Sequence, residues 1–213
     1  MMVLADSLLV QPDAPMEIYR EFMSDLSEEI ERENKIINDL LDLVKLDKKG
    51  ANLNIKSQDV NELVERILKR LQPLAAKSNI ELVFESFRPV TAEIDEVKIA
   101  LVITNLVENA IKYNHSGGKV TVNIHLSEEI TDTSASVNYV FLEVSDTGIG
   151  IPPEYQEKIF TPFFRVDKSR SRAMGGAGLG LALVSEIVRQ HNGQVKVLES
   201  SKKGSVIAIM LPV

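Results

Sequence analysis

Apolar residues recur at alternating spacings of four and three through residues 1–50 of the chain. One member of the series is polar, and the complete series is Tyr19, Met23, Leu26, Ile30, Glu33, Ile37, Leu40 and Val44. This heptad spacing predicts a helix of about thirty residues whose apolar seam packs against partner helices in a coiled coil or four-helix bundle. The alternative is a helix that packs on its own domain. Residues 47–50 are typical of a helix end followed by a hinge.

Beyond residue 50, amphipathic helices alternate with short strands. Helices are predicted from Asp59 onward, over residues 95–114 and over residues 178–192. Strands are predicted over residues 53–56, 80–86, 90–94, 120–126, 139–145, 194–199 and 205–211, with a loop over residues 127–138. This order predicts an α+β fold, a two-layer α/β sandwich in which helices cover one face of a mixed, mostly antiparallel sheet. We therefore expect a helical segment at 1–50 and a separate domain at 51–213.

Composition narrows the class of protein. A net charge of -7 is unfavourable for a general nucleic-acid surface, which needs clustered Lys and Arg. The absence of cysteine excludes disulfides and thiolate metal sites. The apolar runs are too short to span a bilayer, and the start of the chain lacks the basic residues of a signal peptide. We therefore expect a soluble, intracellular chain that binds no nucleic acid.

A polar stripe follows one face of the otherwise apolar helix predicted at residues 95–114. Its members, at spacings i, i+3, i+4 and i+7, are Asn105, Glu108, Asn109 and Lys112. Because burying amides and a carboxylate is unfavourable unless they are paired, the stripe predicts a polar ligand. An Asn oxygen suits Mg²⁺, Lys112 suits phosphate charge, and Tyr113 offers a flat face to a base. The alternative for the stripe alone is a solvated face of a surface helix.

A glycine-rich turn, residues 146–150, follows the strand predicted at 139–145. The carboxylate of Asp146 accepts hydrogen bonds only, which matches an exocyclic amine such as that of adenine. Gly148 and Gly150 leave room for the backbone to approach a base. Asp and Gly also fill ordinary turns, so this turn alone is a weak signal.

A second glycine-rich turn, residues 175–181, opens the last predicted helix. The first amides of a helix that begins at Gly178 and Gly180 can bind phosphate oxygens. The preceding residues 160–177 predict a mobile, positively charged lid over a triphosphate, with cations at Arg165, Lys168, Arg170 and Arg172. Taken alone, the glycine turn is also typical of close packing, and the basic segment is also typical of a solvated loop. Together with the polar stripe, the two turns indicate a nucleotide pocket.

Four motifs in this order resemble those of the catalytic, ATP-binding domain of sensor histidine kinases from two-component systems, the Bergerat-type ATP fold. Residues 105–113 resemble the N box, 146–151 the first glycine box, 160–165 the F box and 176–183 the second glycine box. Ser205, after Gly204, stands where the family usually has Thr. The resemblance covers roughly residues 53–212. It implies that ATP and Mg²⁺ are bound and that the γ-phosphoryl group is transferred to a histidine.

The resemblance also implies roles for particular residues. Asn109 would hold Mg²⁺, Asp146 would bind the adenine amine, and Tyr113 would flank the base. Lys112 would contact phosphate, and Asn105, Glu108 and Lys112 are the candidates for catalytic roles. The complete nucleotide-binding set implied in this way is Asn105, Asn109, Lys112, Tyr113, Asp146, Gly148, Gly150, Ile151, Phe164, Arg165, Lys168, Arg172, Gly176, Gly178, Leu179, Gly180, Leu181 and Ser205.

Residues 36–49 resemble the second helix of the dimerisation and phosphotransfer hairpin of this family. The phosphoacceptor of the family, a histidine followed by an acidic residue on the first helix, is missing. The histidines present, each expected to be a cap or a surface residue, are His115, His125 at a predicted strand end, and His191. Either the chain begins partway through the hairpin or a different protein supplies the acceptor, and the abrupt start within a helix favours the first. We therefore expect that the intact protein dimerises through the hairpin. The expected partner is the receiver domain of a response regulator, and any membrane anchor would lie upstream of a cytoplasmic kinase portion.

Asn105 bears on the class of reaction. In the related gyrase, chaperone and mismatch-repair ATPases, a Glu at this position is the general base for an attacking water. An amide has no useful basicity, which favours transfer to an imidazole over hydrolysis. Weak hydrolysis through Glu108 remains open. A hydrolytic ATPase and a nucleotide-sensing module without turnover are the alternative functions.

Overall fold

The computed structural model describes residues 15–47, 53–130, 136–166 and 177–212. The helices of this part of the chain are α1 (Met16–Asp47), α2 (Val60–Lys77), α3 (Glu96–Lys112) and α4 (Gly180–Gln190). The strands are β1 (Lys56–Asp59), β2 (Glu81–Ser86), β3 (Thr91–Ile94), β4 (Lys119–Ile130), β5 (Ser136–Asp146), β6 (Gln194–Ser201) and β7 (Gly204–Pro212). None of the described helices is both long enough and apolar enough to cross a membrane.

The central sheet has five strands in the order β2-β4-β5-β7-β6. β2 is parallel to β4, and the other neighbouring strands are antiparallel. Alternate residues of these strands, such as Val122, Leu142 and Ile209, form one core with the apolar faces of α2, α3 and α4. β1 and β3 form a separate antiparallel pair. The predicted α+β sandwich with a mixed sheet is therefore confirmed.

The two longest strands extend into the segment that was expected to be a loop. β4 and β5 remain paired from Ser127 opposite Tyr139 to Ile130 opposite Ser136, so the predicted loop is wrong at residues 127–130 and 136–138, and its centre at 131–135 lies outside the described residues. Antiparallel pairing satisfies the backbone hydrogen bonds of these residues without any apolar alternation of their side chains. His125 consequently lies within β4 and not at its end, and its ring stacks on that of Phe141 with 5.1 Å between centroids.

The first short strand begins later than predicted, at Lys56. The backbone N–H of Asn54 donates to Oδ2 of Asp95 at 2.9 Å, so this residue is bonded to a side chain and not to a strand. Asp59 ends β1 and caps α2, as predicted, because its carboxylate accepts from the N–H of Glu62 at 3.0 Å.

α4 is shorter than the predicted helix because left-handed backbone conformations bound it, with φ of 75° at Gly178 and 56° at Asn192. His191 follows its last turn and is buried. Nδ1 of this histidine donates to the carbonyl of Ile187 at 2.8 Å, and Nε2 accepts from the N–H of Asp95 at 3.1 Å. The ring thus joins the end of α4 to the residue that caps α3.

The two faces of α1 differ in their surroundings. Toward the domain, Leu43 packs against the core and the helix contacts α4. The apolar residues of the predicted seam that stay exposed are Met23, Ile30, Ile37, Leu40 and Val44. The predicted long helix is therefore confirmed, with one face packed on its own domain and the heptad seam left on the surface.

The two aspartate caps differ in how many backbone groups they hold, which predicts unequal effects on stability. Asp59→Ala removes one hydrogen bond and should lower the free energy of unfolding by about 1 kcal/mol. Asp95 is buried and accepts from the N–H groups of both Asn54 and Lys98, so Asp95→Ala should lower it by about 2–3 kcal/mol. Urea denaturation measures both, and equal losses would contradict this difference.

Candidate functional site

A cavity of about 980 Å³ lies between α3, the start of α4, the glycine turn after β5 and one face of α1. Most residues of the predicted site line it, namely Asn105, Glu108, Asn109, Lys112, Tyr113, Asp146, Gly150, Ile151, Phe164, Arg165, Gly178, Leu179, Gly180, Leu181 and Ser205. Gly148 lies next to it through its bond to Asp146. Lys168, Arg172 and Gly176, and the rest of the predicted lid over residues 167–176, lie outside the described residues.

The polar stripe of α3 faces this cavity. Asn105 is buried at 7% exposure, and its Nδ2 donates to the carbonyl of Leu101 at 3.0 Å. Glu108, Asn109 and Lys112, further along the helix, are partly exposed. The inner end of the stripe is thus satisfied within the protein, and the outer end is available to a ligand.

The start of α4 lies directly against this stripe. A Cβ at Gly180 would lie 2.5 Å from Oδ1 of Asn105, a distance that real Cβ atoms do not show. The two helices therefore approach so closely that a side chain at position 180 would require the side chain of Asn105 to move. The first N–H groups of a helix have no partner within it, so the contact places donors and the positive end of a helix dipole beside Asn105.

Asp146 ends β5 with its carboxylate in the cavity. Oδ1 accepts from the N–H of Gly148 at 2.7 Å, and the backbone N–H of Ser205 also donates to this carboxylate. Burial raises the pKa of Asp146, and the two N–H donors act in the opposite direction. A partly buried carboxylate with lone pairs to spare can accept a further hydrogen bond from a ligand.

Ser200 supports the site through hydrogen bonds without lining the cavity, a role that its sequence context did not predict. Its Oγ accepts from the N–H of Ile151 at 2.6 Å and lies 2.9 Å from Oγ of Ser205, so it joins the glycine turn to the strand beside Asp146. The predicted strand stopped at residue 199, whereas β6 continues to Ser201 and places Ser200 opposite Ser205. Gly150 completes this junction, because its φ is 73° and a Cβ would meet the carbonyl oxygen of Ser201 at 1.8 Å.

Cations gather near the outer end of the stripe. Burial lowers the pKa of Lys112, and the neighbouring charges of Arg165 and Lys35 lower it further. Nζ of Lys112 lies 5.5 Å from the ring centre of Tyr113, whose own pKa is raised by burial. Nη2 of Arg165 is buried without a hydrogen-bond partner. Because an unpaired buried guanidinium N–H is unfavourable, this group favours an anionic ligand.

The N-terminal helix also lines the cavity, through Arg32, Lys35, Ile36 and Asp39. Nζ of Lys35 donates to Oε2 of Glu108 at 2.5 Å. Burial raises the pKa of Asp39, while Lys35 acts to lower it. The heptad pattern indicated that α1 packs against other helices, but no local signal in the sequence could show which face would meet α3.

The family described as histidine kinase-, DNA gyrase B-, and HSP90-like ATPase matches residues 94–213. The sensor histidine kinase WalK of Bacillus subtilis (strain 168) is 35% identical over 92% of this chain, which spans 31% of that protein. The sensor protein kinase WalK of Staphylococcus epidermidis (strain ATCC 12228 / FDA PCI 1200) is 37% identical over 92% of this chain and 31% of its own length. This chain thus spans about a third of the curated relatives it matches.

The solved structures that resemble this chain are also histidine kinases. Full-length ShkA in complex with AMPPNP superposes with a TM-score of 0.74 at 26% identity, over 91% of this chain and 38% of that one. Histidine kinase ThkA in complex with the response regulator protein TrrA shares the fold, with a TM-score of 0.73 at 24% identity over 99% of this chain and 56% of that one. The expected resemblance to the ATP-binding domain of sensor histidine kinases is confirmed, and the chain belongs to the histidine kinase-, DNA gyrase B-, and HSP90-like ATPase family.

Proposed function

We propose that this chain binds ATP with Mg²⁺ and transfers the γ-phosphoryl group to a histidine, as the kinase portion of a two-component sensor. The observation that carries the proposal is the composition of one cavity. It combines the carboxylate of Asp146 with a group of cations that includes Lys112 and Arg165, whose Nη2 has no hydrogen-bond partner. A hydrogen-bond acceptor for a base and cations for phosphates, within one space, match an adenine nucleotide.

Adenine recognition would rest on Asp146. Its two backbone donors, Gly148 and Ser205, orient the carboxylate and leave lone pairs for the exocyclic amine of adenine. Guanine presents a carbonyl oxygen at the corresponding ring position, which a carboxylate repels. Ser200 would support this arrangement by holding Ser205 and the N–H of Ile151.

Phosphate and Mg²⁺ would be held along the outer stripe. The amide oxygen of Asn109 is a hard ligand that suits Mg²⁺, which keeps several waters and takes its other ligands from phosphate. No group of three or more His, Cys, Asp or Glu side chains in the described ranges could bind a metal by itself. Lys112, Arg165 and the first amides of α4 would neutralise phosphate oxygens. Bound Mg²⁺ would supply charge neutralisation at the transferring group.

Transfer requires a nucleophile in line with the bond between the γ-phosphorus and its bridging oxygen. A neutral histidine nitrogen would attack the γ-phosphorus, the bridging bond would break, and ADP would leave with the electron pair. Asn105 has no basicity with which to activate water, and its amide is bonded to Leu101. The carboxylate of Glu108 is paired with Lys35, which weakens it as a base for hydrolysis.

The histidines of the chain are poorly placed to be the acceptor. Both ring nitrogens of His191 are engaged with the backbone in a buried position. His125 stacks on Phe141 in the sheet, and Nδ1 of His115 lies 3.1 Å from Oδ1 of Asn114. The acceptor would therefore be presented by a polypeptide outside these 213 residues.

The partners of the intact protein follow from the same proposal. A phosphohistidine would be relayed to an aspartate in the receiver domain of a response regulator, as the complex of ThkA with the response regulator protein TrrA suggests. The intact protein would form a homodimer through the helical hairpin whose second helix is α1. The kinase portion would lie in the cytoplasm, and segments outside this chain would supply any membrane anchor.

The raised pKa of Asp146 predicts an acid-sensitive affinity for adenosine, a ligand without a titrating phosphate. Only the carboxylate form of Asp146 accepts a hydrogen bond from the amine. The affinity for adenosine should therefore be highest at neutral pH and should fall as the carboxyl group is protonated. The fall should begin at a higher pH than the ordinary pKa of 3.8 would give. Calorimetry across this range measures it. Asp146→Asn should abolish the pH-dependent step, and an unchanged titration in that variant would sink the assignment.

Phosphoryl transfer can be tested by mixing the chain with labelled ATP, Mg²⁺ and a helical hairpin polypeptide that contains an acceptor histidine. Acid-labile label should appear on the hairpin and not on the chain. Asn109→Ala should slow labelling by about 10- to 100-fold, because a metal ligand is lost. The matched control is Asn138→Ala, at an exposed position of β5 outside the cavity.

The labelling experiment also separates the alternative functions. Release of inorganic phosphate without labelled hairpin would identify a hydrolytic ATPase. Nucleotide binding without labelling or phosphate release would identify a sensing module that has no turnover.

The exposed seam of α1 predicts concentration-dependent association of the chain. Contiguous apolar positions at heptad spacing are covered when a second helix packs on them. Sedimentation should show dimers, and the double variant Ile30→Glu, Ile37→Glu should be monomeric. Because both side chains are exposed in the single chain, the unfolding midpoint of this variant should match that of the unaltered chain at concentrations too low for association. Val97→Glu, at an exposed position on α3, is the matched control and should still associate. A strict monomer at high concentration would exclude this interface.

A further inference from the structure

The N-terminal helix forms a wall of the proposed nucleotide cavity. Arg32, Lys35 and Asp39 line the same space as Asn109 and Lys112 of α3. This contact joins two parts of the chain that are far apart in sequence and would otherwise be separate functional units, a helix for association and a domain for nucleotide.

The contact centres on the ion pair between Lys35 and Glu108, with 2.5 Å between Nζ and Oε2. Lys35 remains about half exposed, with 56% of its side chain accessible. An ammonium group has three N–H donors on a flexible stem, and Glu108 uses one of them. Lys35 can therefore donate to a second acceptor in the cavity while it stays bonded to Glu108.

The contact with Glu108 defines the position of this ammonium, because Glu108 is a member of the polar stripe. Arg32 lines the same cavity, and after burial and Arg165 the charges of Lys35 and Arg32 also lower the pKa of Lys112. The cations of α1 therefore lie beside the proposed phosphate-binding stripe. Arg32 is paired with Glu29, so Lys35, Lys112 and Arg165 remain as three positive charges against the carboxylates of Asp39 and Glu108, an excess that a polyphosphate would neutralise.

We propose that Lys35, held by Glu108, is a positioning residue for the terminal phosphate of the nucleotide, and that the docking of α1 depends on that phosphate. The inference rests on the proposed adenine nucleotide site. Because linkage is reciprocal, a docked α1 strengthens the binding of ATP by the factor by which ATP strengthens docking. ADP lacks the phosphate that Lys35 reaches, so it binds without this coupling.

The test compares the dissociation constants of ATP and ADP, both with Mg²⁺, by calorimetry on the whole chain. Lys35→Ala should raise the dissociation constant of ATP by roughly three- to tenfold, which is the size expected for a charge-assisted contact that is partly exposed to solvent. The dissociation constant of ADP should change by no more than about twofold. Lys35→Arg should restore most of the preference. Arg20→Ala is the matched control, because it removes an exposed cation of α1 that does not line the cavity.

A second comparison separates contact with phosphate from the masking of Glu108. Lys35→Ala should still weaken ATP selectively in a Glu108→Gln background; loss of the effect there would show that Lys35 acts only by neutralising Glu108, and would overturn the proposal. Equal weakening of ATP and ADP, or tighter ATP binding by Lys35→Ala, would also overturn it. If those results appear while Asp146→Asn still abolishes the pH-dependent step of adenosine binding, the proposed function stands without this inference. If the unaltered chain binds no nucleotide, both the proposed function and this inference are wrong.

The reciprocal effect can be measured by hydrogen exchange. Backbone amides around residues 32–39 of α1 should exchange more slowly with ATP and Mg²⁺ than with ADP and Mg²⁺, and the difference should disappear in Lys35→Ala. Equal protection by the two nucleotides in the unaltered chain would contradict the coupling.

Discussion

The close approach of α4 to α3 at Gly180 sets the distance between the polar stripe and the first amides of α4. Oδ1 of Asn105 occupies the space that a Cβ at Gly180 would need, so these amides begin beside the stripe. At the far end of the same helix, His191 is bonded to the backbone of Asp95, which caps α3. A hydrogen bond thus joins the two helices at one end, the close contact at Gly180 lies at the other, and apolar side chains pack between them.

The arrangement around Asp146 shows how a partly buried carboxylate is kept available to a ligand. Burial disfavours its charged form, and two backbone donors partly offset that effect without using all of its lone pairs. The hydroxyl groups of Ser200 and Ser205, on paired strands, hold the neighbouring turn in place. The proposed recognition group, Asp146, is therefore positioned by regular secondary structure, which orients a side chain more rigidly than a loop does.

α1 connects the two proposed activities of the chain because its two faces have different surroundings. The heptad seam is on the surface, where a second helix can cover it, and the opposite side meets α4 and the rim of the cavity. A helix that contacts both a partner and a nucleotide can transmit a change in one to the other if it has two docking positions. The nucleotide would favour one docking position of α1 through the ion pair of Lys35 and Glu108.

Local periodicity in the sequence predicted the elements whose side chains repeat along one face. The stripe from Asn105 to Lys112, the turn at Asp146, the cap near Asp59 and the long helix were all predictable, because they depend on neighbouring residues. Three features could be seen only in the folded chain: Ser200 supports the turn beside Asp146, polar residues extend β4 and β5, and Lys35 contacts Glu108. These depend on pairings between distant segments, where strand register and helix docking are chosen by the packing of the whole core and leave no periodic trace in the chain.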